Sequence, residues 1–346
     1  MNFKAITITD IAKALNISAS TVSKALSDSY EISAKTKQIV LAYAHEHNYR
    51  PNPNAISLKF GSSLSIGIVI PSIQNQFFAQ IIDGIESAAH KEGFTVIIAQ
   101  THESYDMEVK SIQQLTHRAI DGLLISQSSE TVNISHLGQL RSKGLPVVFF
   151  DRVIDQIETH KVITDNFQGA LNATQHLFNN HCRKIALITG PEGLSITKDR
   201  LDGYRQAHIQ NKREVIASYI KHCSYTNNNV EEITRAVHEL IELPNKPDAI
   251  FTTSDTITST VLLALNKLDI KIPAQIAVVG FTNSSFAAVI NPPLTSVFQP
   301  GFLMGRKAAE LLLSLIKSKK AVTEFETIVL PMQLVIRKSS FRSAPL

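Results

Sequence analysis

From residue 64 onward the chain repeats one rhythm, a short run of aliphatic residues followed by a longer stretch of helical periodicity. Apolar runs at 65–70 (SIGIVI), 95–99, 122–125 and 147–150 read as buried strands, separated by helices over 77–91, 106–118 and 132–143. The rhythm then restarts, with strands at 184–189, 217–221, 248–252 and 276–280 alternating with helices over 167–180, 197–211, 227–242 and 254–268. Continuous apolar strands joined through helices mark parallel sheets covered on both faces, because each crossover lays a helix over the sheet. Two such runs predict two doubly wound α/β lobes. Their cleft lies near the C-terminal ends of the strands, where sheets of this kind bind ligands. A helix over 303–317 and strands near 326–336 complete the chain.

The first fifth obeys a different rule. Residues 6–49 read as an all-α unit of three short helices. Thr7 and Asp10 have the spacing of a capping box, and Ile8, Ile11, Ala12 and Leu15 then share one helical face. Asn16 ends that helix. Ser18 caps the next, whose inner face is Val22, Ala25 and Leu26, and Ser33 caps a third with Ile39, Val40 and Tyr43 inward. The short gap between the first two helices is that of a helix-turn-helix. Beyond Pro51, Asn52 is a good N-cap and Pro53 a good first helical residue, so a short helix is expected over 53–60, ended by Gly61-Ser62-Ser63. The expected division is 1–50 for the helical head, 51–63 for a hinge helix and linker, and 64–346 for the lobed domain.

A chain of 346 residues with 44% hydrophobic and 18% charged side chains has ample core and is neither disordered nor membrane-embedded in character. The N-terminus lacks the apolar stretch of a signal peptide, and two cysteines make no disulfide framework; both suggest a cytoplasmic protein. Residues 1–63 carry seven basic and four acidic groups, whereas the other 283 residues are nearly balanced at 27 and 26. That imbalance suits a phosphate-bearing partner at the head, although a merely solvated surface looks the same by charge alone. No catalytic signature is present: GxSxG, HExxH, GxxxxGK[ST] and GxGxxG are all missing. The turn Gly190-Pro191-Glu192-Gly193 reads as a plain βα connection. His176, His181 and Cys182 cluster near a helix end but lack the ligand number of a metal site, and read as surface and helix-terminal residues. No enzyme activity, metal or cofactor is expected.

The ordered set of segments ITITDIAKALNISASTVSKALSDSYEISAKTKQIVLAYAHEHNYRPNPNAISLK, IGIVIPSIQNQFFAQIIDGIESAAHKEGF, AIDGLLI, GLPVVFFDR, VITDNFQGA, KIALITGP, RLDGYRQA, PDAIFTTSD, IPAQIAVVGF and NPPLTSVFQPGFLMGRKAAELLL resembles the LacI/GalR regulators over nearly the whole chain. The resemblance implies a helix-turn-helix head, a hinge and a two-lobed periplasmic-binding-protein-like domain crossed by the chain. The first lobe would hold about 64–162 and 291–325, the second about 163–290 and 326–341. It implies a homodimeric transcription regulator, most naturally a repressor, that grips palindromic operator DNA and answers to a small effector, a sugar or related metabolite. A solute-binding protein of the same fold is the alternative; a signal peptide and a missing helix-turn-helix would mark it.

By the same resemblance Ser18–Leu26 is the recognition helix, with Ala19 and Ser20 at the base-reading positions. Thr21, Ser23 and Ser27 stand where phosphates or nearby bases are held, and Thr7, Ser18 and Asn52 are further implied DNA-binding residues. Lys24 stands where arginine is usual, and lacks arginine's planar fork. Leu58 is the implied minor-groove wedge, where unstacking is offset by wider phosphate contact; packing with Ile56 and Phe60 is the competing reading. For the effector, the resemblance implies Phe77, Phe78, Asp151 and Arg152 from the first lobe, and Arg200, Ser254, Thr282 and Gln299 from the second lobe and a crossover. The family's usual aspartate is Thr282 here and its usual asparagine is Ser254, so a bidentate acceptor for sugar hydroxyls is missing, with Asn283 a partial substitute.

Overall fold

The computed structural model describes residues 6–49, 62–226, 229–318, 320 and 322–342. It divides into two compact units, Met1–Leu64 and Ser65–Leu346.

In the first unit, α1 (Ile8–Ala14), α2 (Ala19–Leu26) and α3 (Ala34–Glu46) each begin at a side-chain cap. The Thr7 hydroxyl accepts the Asp10 amide at 3.2 Å while the Asp10 carboxylate accepts the Thr7 amide at 3.0 Å, a complete capping box. Ser18 accepts the Thr21 amide at 3.0 Å and Ser33 the Thr36 amide at 3.2 Å. Asn16 and Asp28 take left-handed backbone angles, φ 52° and 53°, and stop α1 and α2. Ile11, Val22 and Val40 are fully buried at the centre of the bundle. Ile39 was expected inward and is 48% exposed. Adjacent helical residues point about 100° apart, and the inner stripe is set by Val40 and Ala44, four residues apart.

The second unit holds two six-stranded sheets. In the first, β1 (Ser65–Ile70) lies between β2 (Thr95–Gln100) and β3 (Gly122–Ile125), followed by β4 (Val147–Phe150), β5 (Lys161–Thr164) and β11 (Thr327–Leu330), all parallel. In the second, β6 (Ile185–Thr189) lies between β7 (Ile220–His222) and β8 (Ala249–Thr252), followed by β9 (Ala277–Phe281) and β10 (Thr295–Phe298). There β12 (Gln333–Val335) adds antiparallel to the β10 edge. Helices α4 (Gln76–Lys91), α5 (Tyr105–His117) and α6 (Ser135–Ser142) accompany the first sheet, and α7 (Asn166–Asn179), α8 (Ser195–Gln210), α9 (Asn229–Glu242) and α10 (Asp255–Lys267) the second. The last helix, α11 (Gly301–Lys317), packs on α4.

The crossovers fall elsewhere than expected. Within 291–325 only α11 belongs to the first lobe, because β10 pairs with β9 through Val297 opposite Phe281. Thr327–Leu330, expected in the second lobe, extends the first sheet beside β5. The chain therefore passes between lobes at 299–300 and again at 331–332. Strand β5 was not foreseen, and the strand expected at 217–221 begins only at Ile220, after a 3-10 turn over Ala217–Tyr219. His176 and Cys182 are not surface groups: they are 8% and 2% exposed, and His176 shares a 2.7 Å hydrogen bond with the Ser340 hydroxyl.

Glycines permit the tightest helix contacts. A Cβ on Gly305 would stand 1.9 Å from the Ile81 carbonyl oxygen, and one on Gly84 would stand 2.1 Å from that of Phe302. Thus α11 seats directly on the α4 backbone, fixing Phe77 and Phe78 at the start of α4 against the first-lobe core.

Candidate effector cleft and DNA-reading helix

The expected effector residues occupy ends of elements, as a site at the C-terminal edge of parallel sheets requires. Asp151 and Arg152 follow β4, Ser254 follows β8, and Thr282 follows β9. Gln299 lies on the chain crossing after β10, Arg200 is within α8, and Phe77 and Phe78 open α4. All eight line one cavity of about 40 Å³ between the lobes, joined there by Asn75, Ile196, Tyr225, Asp255, Phe281 and Asn283. An adjoining cavity of about 450 Å³ shares Asn75, Phe78, Arg152, Tyr225 and Ser254, and opens toward His102 and Glu103. A larger cavity of about 940 Å³ runs along α10 and the 284–294 segment and meets the site only at Asp255 and Thr282. The buried charges gather in the smaller space, so the candidate chemistry is placed there.

Two arginines are held in different ways. Arg152 presents its fork to Glu103, with Nη1 donating to Oε2 at 2.7 Å and Nη2 to Oε1 at 3.0 Å. Glu103 also accepts the Ser129 amide at 2.9 Å, and across the cleft the Tyr225 ring lies 5.1 Å from the Arg152 guanidinium carbon. Burial opposes the charge of Arg152, but Glu103 outweighs it and holds the guanidinium above its ordinary pKa. Arg200 donates from Nε to Asn166 Oδ1 at 2.8 Å and from Nη1 to the Thr253 carbonyl, and its guanidinium carbon sits 4.1 Å from the Phe281 ring centre. With neutral acceptors only, burial lowers its pKa.

Burial likewise raises the carboxyl of Asp151, against the neighbouring arginines. Asp151 Oδ1, Arg152 Nε and Gln299 Nε2 are buried without a hydrogen-bond partner in the protein. Such groups are costly unless something satisfies them, and together they offer a ligand both donors and acceptors. The strained backbone clusters here too: His102, Glu103 and Asp151 all take positive φ, at 49°, 67° and 59°.

Several expected contacts are partly committed already. The Ser254 hydroxyl accepts the Ile257 amide at 3.3 Å as the cap of α10, and the Thr282 hydroxyl donates to Asp255. Burial raises the Asp255 carboxyl, while the Thr282 bond works the other way. Asn283 ties the lobes, donating to Gln80 Oε1 of α4 at 2.6 Å and to the Gln299 carbonyl at 2.7 Å. Glu103, Asn166, Tyr225 and Asp255 were not expected from the sequence. No local signal marks them, because Glu103 stands 49 residues from Arg152 and the two meet only through sheet order.

On the head, Ala19 and Ser20 are exposed on the first turn of α2. The hydroxyls of Thr7, Ser18 and Thr21 are engaged in the caps, and Ser27 donates to the Ser23 carbonyl at 3.0 Å. Lys24 forms an ion pair with Glu31. Asn52 and Leu58, and the helix expected over 53–60, lie outside the described residues. Among the described residues no group of three or more His, Cys, Asp or Glu side chains is placed to hold a metal, and no helix is long and apolar enough to cross a membrane.

Comparison with known proteins settles the family. Residues 63–338 match the family described as periplasmic binding proteins and sugar binding domain of LacI family, and residues 7–52 match bacterial regulatory proteins, lacI family. The chain belongs to the LacI family. Among its relatives, the ribose operon repressor of Halalkalibacterium halodurans is 30% identical, covering 96% of this chain and 97% of that one. The transcriptional repressor PurR of Vibrio campbellii is 29% identical over 96% and 98%. Among solved structures, the Lac repressor dimer bound to operator and the anti-inducer ONPF superposes with a TM-score of 0.81 at 25% identity, over 98% of this chain and all of that one. The regulator CelR in complex with cellobiose gives 0.72 at 28%, over 96% and 99%. This LacI-family chain is thus a DNA-binding transcription regulator under the control of a small effector.

Proposed function

We propose that this regulator is a cytoplasmic homodimeric repressor that acts by binding, not catalysis. It reads a palindromic operator with α2, and a hydroxyl-rich effector, a sugar or related metabolite, bound between its lobes sets operator affinity. The observation that carries the reading is the convergence of Phe77, Phe78, Asp151, Arg152, Arg200, Ser254, Thr282 and Gln299 on one cavity that also holds unpaired buried donors and an unpaired acceptor. A polyol supplies the missing partner of each kind, accepting from Arg152 Nε and Gln299 Nε2 and donating to Asp151 Oδ1, since every hydroxyl can donate and accept. On the head, Ala19 and Ser20 are the groups we assign to base reading in the major groove and Lys24 to a guanine or phosphate, with Thr21, Ser23 and Ser27 at phosphates or nearby bases, Thr7, Ser18 and Asn52 as further DNA-binding residues, and Leu58 as the minor-groove wedge. The homodimer is supported by likeness to the Lac repressor dimer and by apolar side chains left outside on the second lobe: Leu263 is 50% exposed, Phe286 70% and Val289 74%.

The test is thermal denaturation of the full chain with ribose, cellobiose and adenine, followed by operator selection from random duplexes. A ligand at a hundred times its Kd stabilises by about 2.7 kcal/mol. That corresponds to a rise in Tm of roughly 5–10 °C, at roughly 2–4 °C per kcal/mol for a domain this large. A ligand that stabilises the wild type but stabilises Arg200→Ala equally would remove the cleft from the reading. Selection of an asymmetric site by a monomer would remove the palindrome and the dimer.

A further inference from the structure

The head carries few cations, and their pairing bears on DNA binding if, as proposed, Lys24 contacts DNA. Among the described residues 6–49 there are four lysines, Lys13, Lys24, Lys35 and Lys37, and no arginine. Two of the four are held by acids of the head itself. Lys24 pairs with Glu31, and Lys37 Nζ is 2.7 Å from Asp28 Oδ1. Lys24 is the only cation on α2. Both members of its pair remain open to solvent, with side chains 44% and 47% exposed. Glu31 lies beyond the left-handed Asp28, in the turn that leads from α2 to α3. The turn is held by its own backbone bonds, Ser29 N–H to the Lys24 carbonyl at 3.0 Å and Ile32 N–H to the Ser29 carbonyl at 3.3 Å. Glu31 is thereby fixed on the Lys24 side of the head.

We propose that Glu31 is a specificity-determining residue that restrains Lys24, so that the lysine reaches a DNA phosphate or guanine only by exchanging one anionic partner for another. An exchange of partners differs from a new ion pair in two ways. It yields less affinity, because the lost Glu31 contact offsets part of the new one and leaves a carboxylate beside the phosphates. It also yields less salt dependence. A free lysine that neutralises a phosphate contributes about 0.9 to the slope of log affinity against log salt. A lysine that leaves a carboxylate behind recruits a cation to it, cancelling much of that contribution. Non-specific grip, which depends wholly on phosphate charge, is reduced. The uncharged readers Ala19 and Ser20 then carry a larger share of the discrimination.

The experiment is a double-mutant cycle in the full chain. Wild type, Glu31→Gln, Lys24→Gln and the double variant are titrated by fluorescence anisotropy between 50 and about 250 mM KCl. The probes are a labelled duplex enriched by the wild-type protein from a random pool and one unselected duplex of the same length. An exposed pair is worth up to about a five-fold change in equilibrium. Glu31→Gln is therefore expected to tighten both duplexes about two- to five-fold per half-site, steepen the salt slope by nearly one per half-site, and narrow the ratio between selected and unselected DNA. In the Lys24→Gln background the same change is expected to lose most of its effect. The inference is overturned if Glu31→Gln leaves affinity and slope unchanged while Lys24→Gln weakens binding, or if Glu31→Gln acts equally with and without Lys24. If Lys24→Gln alone changes nothing, the assignment of Lys24 to DNA fails and the inference falls with it; that result is distinct from the other two.

Discussion

At the scale of single residues, the cleft places one arginine where its role can be isolated. Arg200 has no carboxylate within ion-pair distance among the described residues, and its fixed partners are Asn166 and a backbone carbonyl. Arg200→Ala is expected to keep operator binding where the apo protein binds DNA, and to lose most of the effector's influence on it. Operator titrations with and without a stabilising ligand check this; a mutant that responds fully removes Arg200 from the site. A second residue-scale prediction concerns pH. Burial lowers the pKa of His176 and of His208, which are 8% and 3% exposed. Below the ordinary imidazole value of 6.5 the unfolded chain binds more protons than the folded one. Stability is therefore full above pH 6.5 and is lost as pH falls from there through the lower folded-state values. Melting temperature is expected to drop between pH 7 and 5, less steeply in His208→Gln; an unchanged slope would assign the acid sensitivity elsewhere. What the sequence made legible at this scale was the set of groups at strand ends. It hid their partners: the Glu103 that binds the Arg152 fork and the Asp255 that takes the Thr282 hydroxyl are joined to them by sheet order, not by spacing.

At the scale of elements, periodicity located both sheets because buried parallel strands are apolar on both faces. It failed where an element is short or half-exposed. KVIT at β5 alternates burial and is only four residues long, and TSVF at β10 is as short, whereas the edge strands β11 and β12 fall within 326–336, where strands were expected. Nothing in a four-residue apolar run says which sheet it joins, so the lobes of 295–298 and 327–330 rested on the family resemblance, and that assignment went astray. The helix pairs, by contrast, carry a signal that can be tested. Gly305→Ala would drive a methyl into the Ile81 carbonyl, 1.9 Å away, with backbone on both sides and no flexible side chain to yield. Overpacking of this kind costs typically about 1–3 kcal/mol. The variant is expected to lower the melting temperature, whereas Gly138→Ala, whose Cβ would meet nothing within 4 Å, is expected to be neutral or slightly stabilising. Equal behaviour of the two would mean that α4 and α11 are not packed backbone to backbone.

At the scale of the whole molecule, the question is how a cleft between two lobes bears on a DNA-binding head. The lobes are joined covalently by three chain passages, at about 165, 299–300 and 331–332, and non-covalently by contacts that cross the cleft. Two of these are side-chain contacts, the Tyr225 ring against Arg152 and Asn283 against Gln80. Neither belongs to the head, so a variant at either is expected to change the balance between lobe arrangements while leaving the operator-reading surface intact. An effector can shift that balance only by as much as it binds one arrangement better than the other. Linkage then requires reciprocity: the factor by which effector changes operator affinity equals the factor by which operator changes effector affinity. Tyr225→Ala is expected to weaken effector binding and to change operator affinity in the absence of effector, while the product of the linked equilibria stays closed. Four titrations per protein measure it: effector with and without a selected operator duplex, and operator with and without saturating effector. If Tyr225→Ala weakens effector binding about ten-fold or more and leaves both the effector-free operator affinity and the coupling factor at wild-type values, the cross-lobe contact is a binding contact only. The balance between lobe arrangements would then be set by Asn283 and the chain crossings instead.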